Sequence, residues 1–319
     1  MTASRRDPIE RSFAHHDRAA ILFQQGELRL AERAGRRALA GLVRALGTRD
    51  ANVAGAAQTL GAITLARGKL VDSARLARQA TGALRGIPAG DEDVELLRLR
   101  CTALRAIVLR DRGRYAEASA MLRGAIAVAA RRLGADHVEL AHWEVALGSA
   151  LKFAGRYAAA EACYRHALTV VTATHGPDHL ELAPLYHNLG GLAHARGRYA
   201  EAERWARRAL VIVEDTWGGD ALQTAIELAA LAPVLDARGR FAEAAGAYRR
   251  ALAIFQRVHG KRHYDIALGL ANLGAHHAQA DRPRDAVRTL RRALAMMIAV
   301  AGARHPDVKL IRANLAAVA

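Results

Sequence analysis

Cysteine is almost missing from this chain, with Cys101 and Cys163 alone among 319 residues. Two thiols cannot staple a small secreted scaffold, and such sparing use points to a reducing, cytoplasmic compartment. Aromatic residues reach only 5%, so no core can rest mainly on large rings. Proline is also scarce, and its seven residues fall largely between the apolar periodic segments. Nowhere does an apolar run approach the roughly 18 residues that a spanning helix needs. The N-terminal stretch MTASRRDPIERS lacks an apolar h-region, so no signal peptide is expected. Lysine is rare among the cations, supplying only Lys69, Lys152, Lys261 and Lys309 of 47 basic residues.

The residues that are present narrow the class further. Hydrophobic residues make up 52% and charged residues 24%, too apolar a balance for a disordered chain. Alanine, the best helix former, is the commonest residue, which excludes all-β and collagen-like chains. A net charge of +16 biases the protein towards acidic partners without choosing among protein, nucleic acid and membrane surface.

Internal repetition decides the architecture. The strings DRGRYAEA, FAGRYAAAE, ARGRYAEAE and ARGRFAEA place Gly113, Gly155, Gly197 and Gly239 at intervals of 42. One further step reaches Asp281, and steps back of 45 and 42 reach Gly68 and Gly26. A second series, Gly134, Gly176, Gly218, Gly260 and Gly302, runs with the same period. Seven units result. Within each, apolar residues recur at spacings of three and four on both sides of the turn glycine, the pattern of two amphipathic helices. Around Gly197 these are Leu185, Leu189, Leu192 and Ala193, then Tyr199, Ala202, Ala206, Ala209 and Val213. Twelve residues after the turn every unit has alanine: Ala38, Ala80, Ala125, Ala167, Ala209, Ala251 and Ala293. Five residues after it stand Ala31, Ser73, Ala118, Ala160, Ala202, Ala244 and Ala286. Such a coincidence marks a helix contact that admits little more than a methyl group.

With its Leu-Gly pairs (Leu60-Gly61, Leu147-Gly148, Leu189-Gly190, Leu273-Gly274), its aromatics after the turn (Tyr115, Tyr157, Tyr199, Phe241) and linkers such as LGADHVELA and HGPDHLELA, the chain resembles the tetratricopeptide repeat. The closest variety is the 42-residue one of kinesin light chains and their bacterial relatives. The resemblance implies an all-α, right-handed α-solenoid of seven helix-turn-helix repeats with a C-terminal capping helix. Its repeats centre near residues 26, 68, 113, 155, 197, 239 and 281. A flexible N-terminus over 1–9, a solenoid over 10–319 and a capping helix over 306–319 are expected.

Chemistry-bearing motifs are few. There is no Gly-x-Ser-x-Gly elbow and no phosphate-cradling Gly-rich loop followed by Lys-Ser/Thr, so no catalytic residue and no cofactor are assigned. The pairs His175/His179 and His259/His263 straddle a linker glycine rather than share a helix face. His137, His179, His263 and His305 recur three residues after that glycine as a repeat feature. No cysteine or carboxylate is expected to recur with them at ligand spacing, so no metal site is expected. Both cysteines read as helix-packing thiols.

In the family the first helices line a concave groove that holds a peptide, often gripped by Asn nine residues before the turn. The matching residues are Asn188, Asn272 and, in the terminal helix, Asn314, interrupted by Ala146 and Ala230. Arg100, Arg110, His142, Lys152, His187 and His194 are expected on the same face, with Asp236 opposing. Amides among cations suit an acidic or carboxylate-bearing peptide. A chaperone-type carboxylate clamp is not expected, because no unit has Lys ten residues before the turn. The leading expectation is therefore a non-enzymatic protein-interaction scaffold. The rival is nucleic-acid or anionic-surface binding through an arginine edge that includes Arg36-Arg37, Arg207-Arg208, Arg249-Arg250 and Arg291-Arg292, which lacks interleaved aromatics for base stacking. A peptide-sensing regulatory protein is the third.

Overall fold

The computed structural model describes residues 8–88 and 90–318. Among them are fifteen α-helices, one 3-10 turn and no strand. The first helices of successive repeats are α1 (Pro8–Gln24), α3 (Ala51–Ala66), α5 (Glu92–Asp111), α7 (Val138–Phe153), α9 (Ala183–Ala195), α11 (Leu222–Ala237) and α13 (Tyr264–Gln279). The second helices are α2 (Leu28–Leu46), α4 (Leu70–Ala83), α6 (Tyr115–Leu133), α8 (Tyr157–His175), α10 (Tyr199–Trp217), α12 (Phe241–His259) and α14 (Pro283–Ala301). A last helix, α15 (Pro306–Val318), follows, and the 3-10 turn Leu180–Leu182 leads into α9. The fold is an all-α solenoid of helical repeats. Where a flexible N-terminus over 1–9 was expected, α1 already begins at Pro8, and residues 1–7 lie outside the described residues.

Contacts gather in two compact units, one ending at Cys163 and the other starting at Tyr164. In the first, α1 packs on α2, α3 on α4 and α5 on α6, and α2–α3, α4–α5 and α6–α7 contacts join them. Its largest core runs through Leu42, Leu60, Leu76, Leu84 and Cys101. In the second, α9–α10, α11–α12 and α13–α14 are the hairpins, and α15 lies against α14 and α13. Leu231, Leu235, Tyr248, Phe255, Ile266 and Leu290 form its core.

The alanine stripes are the contact surface. All seven residues twelve after the turn are at most 3% exposed, and all seven at the fifth position are at 0%. Ser73, the one hydroxyl in that stripe, donates to the Gly61 carbonyl at 2.9 Å and so carries no unpaired polar atom into the core. The partner glycines are as tightly held: a Cβ on Gly61 would stand 2.7 Å from Leu104 Cδ2.

Turn chemistry repeats with equal regularity. At Gly197 φ is +70°, its N–H reaches the His194 carbonyl, and the Arg198 N–H reaches Ala193. Asp281 does the same work with φ +55°, the one non-glycine at positive φ among the described residues. Side-chain caps start many of these helices: Asp50 for α3, Asp91 for α5, and a histidine for α7, the 3-10 turn before α9, α13 and α15, whereas α11 starts after Ala221 without one. His137, His179, His263 and His305 each accept the N–H two residues on through Nδ1, at 3.2–3.3 Å. Proline opens α1, α14 and α15 and sits in the first turn of α9, whereas Pro233 lies inside α11 and removes a helical donor there. The linker after α4 is longer than the rest. Arg98 ties it down by donating to the carbonyls of Leu84 at 3.1 Å and Ile87 at 2.6 Å.

Candidate binding clefts

Two clefts are built on first helices, one in each unit. The cleft of the first unit has a volume of about 420 Å³ and takes its walls from α1, α3, α5 and α7. Arg100 and Arg110 line it, as expected, together with Phe23, Asp111, Glu139 and Trp143. Both guanidiniums are already occupied. Arg100 makes a two-pronged pair with Glu139 at 2.7 and 2.8 Å, and Arg110 Nε donates to Asp111 at 2.7 Å.

The cleft of the second unit encloses about 400 Å³ between α9, the end of α10 and the start of α11. His187 and Asn188 sit in it beside Trp217, Gln223, Ile226 and Glu227. Trp217 and Ile226 are 40% and 43% exposed, large apolar groups presented to solvent at one place. Glu227 is buried, and its carboxylate lies 3.0 Å from His187 Nδ1. The cation expected to select acidic ligands is therefore matched by a carboxylate within the fold. One N–H of the Asn188 amide donates to the Pro184 carbonyl at 2.8 Å, which fixes the side chain and leaves its oxygen free to accept.

The other expected residues lie outside both clefts. Asn272 and Asn314 are half-buried on α13 and α15. His194 packs at a tilt on Tyr199 with ring centroids 5.5 Å apart, and burial lowers its pKa. Lys152, its pKa also lowered by burial, holds its ammonium 5.1 Å from the Phe153 ring centre, and His142 is exposed on α7. Asp236 corrects its expectation. Rather than opposing the groove cations it is buried, 2.7 Å from His276 Nδ1 and accepting from the Tyr248 hydroxyl at 3.1 Å.

Sequence reasoning missed Glu227 and Trp217, although both break a repeat pattern. Glu227 stands twelve residues before its turn, where Ala56 and Leu185 are buried apolar side chains. Trp217 precedes a linker glycine where His175 and His259 stand elsewhere. A carboxylate also recurs two residues after each linker histidine, contrary to expectation, as Glu139, Glu181, Asp265 and Asp307. Donor atoms of His259, His263 and Asp265 lie within 4.8 Å of one another. The two rings stack with centroids 3.8 Å apart and planes at 15°, so their in-plane lone pairs run side by side instead of converging. His263 Nδ1 is meanwhile engaged as a helix cap. Burial pushes the Cys101 thiol up to about 12 and Cys163 to about 11, which leaves neither as a thiolate.

Half of the named arginine edge is paired, through Arg36, Arg207, Arg208 and Arg250. Buried Glu32 holds Arg36, Arg67 and Lys69, and buried Glu203 holds Arg207, Arg238 and Arg240, in each case joining one repeat to the next. Burial pushes both carboxyls up, but the cations more than reverse it. Lys69, Arg36 and Arg67 bring Glu32 down to about 2, and Glu203 too lies below its ordinary value. Arg208 pairs with Asp178 at 2.5 Å and Arg250 with Glu214 at 2.7 Å.

A stack of two-helix units, joined through alanine contacts and bearing clefts on its first helices, defines a helical-repeat scaffold. The tetratricopeptide repeat profile matches residues 99–170, 142–215 and 224–299, and the chain belongs to that family. Comparison with curated protein sequences gave no match. Among solved structures, BtubC (BKLC) from P. vanneervenii is 21% identical with a TM-score of 0.55, over 80% of this chain and 94% of its own. A putative kinesin light chain of Podosopora anserina with nearly identical TPR-like repeats is 19% identical with a TM-score of 0.55, over 63% and 95%. The Rap conjugation gene regulator of plasmid pLS20, in complex with the Phr* peptide, is 17% identical with a TM-score of 0.63, over 84% and 68%. The repeats are thus similar in fold to those of kinesin-light-chain-like proteins. Among the described residues no helix is long and apolar enough to cross a membrane.

Proposed function

We propose that this protein is a non-enzymatic, cytoplasmic scaffold that binds a peptide segment along its first helices. The observation that carries this reading is the cleft of the second unit, where exposed Trp217 and Ile226 stand beside Asn188 and Gln223. An apolar ligand side chain seats against the two large groups, and the amides pair with ligand backbone whatever its sequence. Because Glu227 matches His187, the cleft selects an apolar anchor rather than an acidic one. The regulator–peptide complex among the structural relatives supports a peptide as the ligand class, and a peptide-sensing role as a form of the same reading.

The test takes the segment recovered by affinity capture from the native host, made as a synthetic peptide. The Trp217→Ala, Asn188→Ala double variant is expected to weaken its binding by about 2–4 kcal/mol, the range for truncating a central anchor. Melting should barely move, since Trp217 is 40% exposed. Unchanged affinity with unchanged melting would refute the cleft as the binding site.

A further inference from the structure

The outer groove between α1 and α2 carries a cluster that the peptide reading does not use. Two adjoining depressions, of about 520 and 160 Å³, share His15 and Arg37 in their walls. Arg11 and Arg44 line the larger, Arg18 and Arg33 the smaller, and neither wall contains a carboxylate. Arg36 also lines the larger depression but lies against Glu32 and Asp72, as Arg100, Arg207 and Arg250 lie against acids elsewhere in the chain. Arg11, Arg18, Arg33, Arg37 and Arg44 have no such partner.

The position within the repeat makes the cluster informative. One repeat on, the residues matching Arg11, His15 and Arg18 are Val53, Ala57 and Leu60, all at most 1% exposed. In the fifth repeat they are Leu182, Tyr186 and Leu189, again buried. In those repeats the face is buried among helices, whereas the third repeat presents Arg98, Thr102 and exposed Arg105 there. Apolar side chains share the lining, namely Leu22, Leu30, Ala34 and Ala40. A face that needed only solubility would accept charge of either sign. Instead Arg33 and Arg37, and likewise Arg11 and His15, place basic groups one helical turn apart, an arrangement that disfavours the helix unless an anion answers it.

We propose that the α1–α2 face docks an acidic amphipathic helix from a partner protein, its apolar stripe on Leu22, Leu30 and Ala34 and its carboxylates between the arginines. Carboxylates pair with guanidinium in two-pronged fashion, which suits five forks ranged among apolar side chains. A second copy of this chain offering its α14–α15 surface does not fit, because Arg284, Arg288 and Arg291 line the depression there and would face like charge.

The experiment displays a library of 18-residue amphipathic helices whose flanking positions vary among Glu, Gln and Lys, and selects on the full chain. Glu-flanked clones should be enriched, should weaken as salt rises, and should lose at least about tenfold affinity for Arg33→Glu, Arg37→Glu. A control pair one repeat on, Arg75→Gln, Arg78→Gln, at the positions matching Arg33 and Arg36, should leave binding unchanged. For Arg33→Gln, Arg37→Gln, melting should hold or rise as repulsion is relieved, so lost binding there cannot be lost folding. Selection without charge preference, or Glu-flanked clones indifferent to Arg33 and Arg37, would overturn the proposal. So would a short DNA duplex that binds these arginines more tightly than any selected helix.

Discussion

Substituting Glu32→Gln tests whether the buried carboxylates hold neighbouring repeats together. The change keeps the shape of the side chain and removes the charge that Arg36, Arg67 and Lys69 share. A carboxyl brought from 4.5 to about 2 is linked to roughly 3 kcal/mol of stability at neutral pH. The three cations are 47%, 24% and 39% exposed, so solvent screening reduces this to about 1–2 kcal/mol. Because the folded-state pKa is depressed, the contribution is complete above about 4.5 and disappears as pH falls towards 2. The measurement is urea unfolding of wild type and Glu32→Gln at pH 7 and again near pH 2.5. The gap between them should be about 1–2 kcal/mol at pH 7 and should shrink in acid. An equal gap at both pH values would show that Glu32 acts by packing alone, and no gap at pH 7 would remove it as a staple.

Two further expectations follow from packing and turn geometry. Ala209→Leu, at a position with 0% exposure, should cost about 1–3 kcal/mol and lower the melting temperature, and an unchanged melt would mean the alanine contact is not tight. Asp281→Gly should stabilise by about 0.5–1 kcal/mol, because φ there is +55° and glycine adopts that geometry without strain, as unfolding in denaturant will register.

The repeat architecture was readable because it rests on spacing. A turn residue of positive φ and an alanine twelve residues later recur whatever surrounds them, and even Asp281 was found by counting. Pairings across repeats left no comparable trace. Arg100 and Glu139 lie 39 residues apart, and His187 and Glu227 lie 40 apart, so only the stacking of helices brings them together. His187 and Arg100 therefore looked like free cations. Asp236 failed for a related reason: a charged residue near the end of a first helix reads as exposed until Tyr248 and His276 are seen to satisfy it. The linker histidines were recognised as structural, yet their capping role depends on a ring nitrogen facing a backbone N–H, which spacing cannot reveal.

The long linker between α4 and α5 bears on how such a chain tolerates changes of length. Its hairpins are measured from turn to alanine stripe, and one residue gained or lost within that interval would rotate the rest of the second helix by about 100°. The buried methyl groups would then face water. Between hairpins no such measure applies. There the chain already carries three additional residues, and α5 still begins on its Asp91 cap while Arg98 closes over the excess backbone. Insertions can accumulate at these joints at little cost, whereas the helical hairpins admit many substitutions but no change of length.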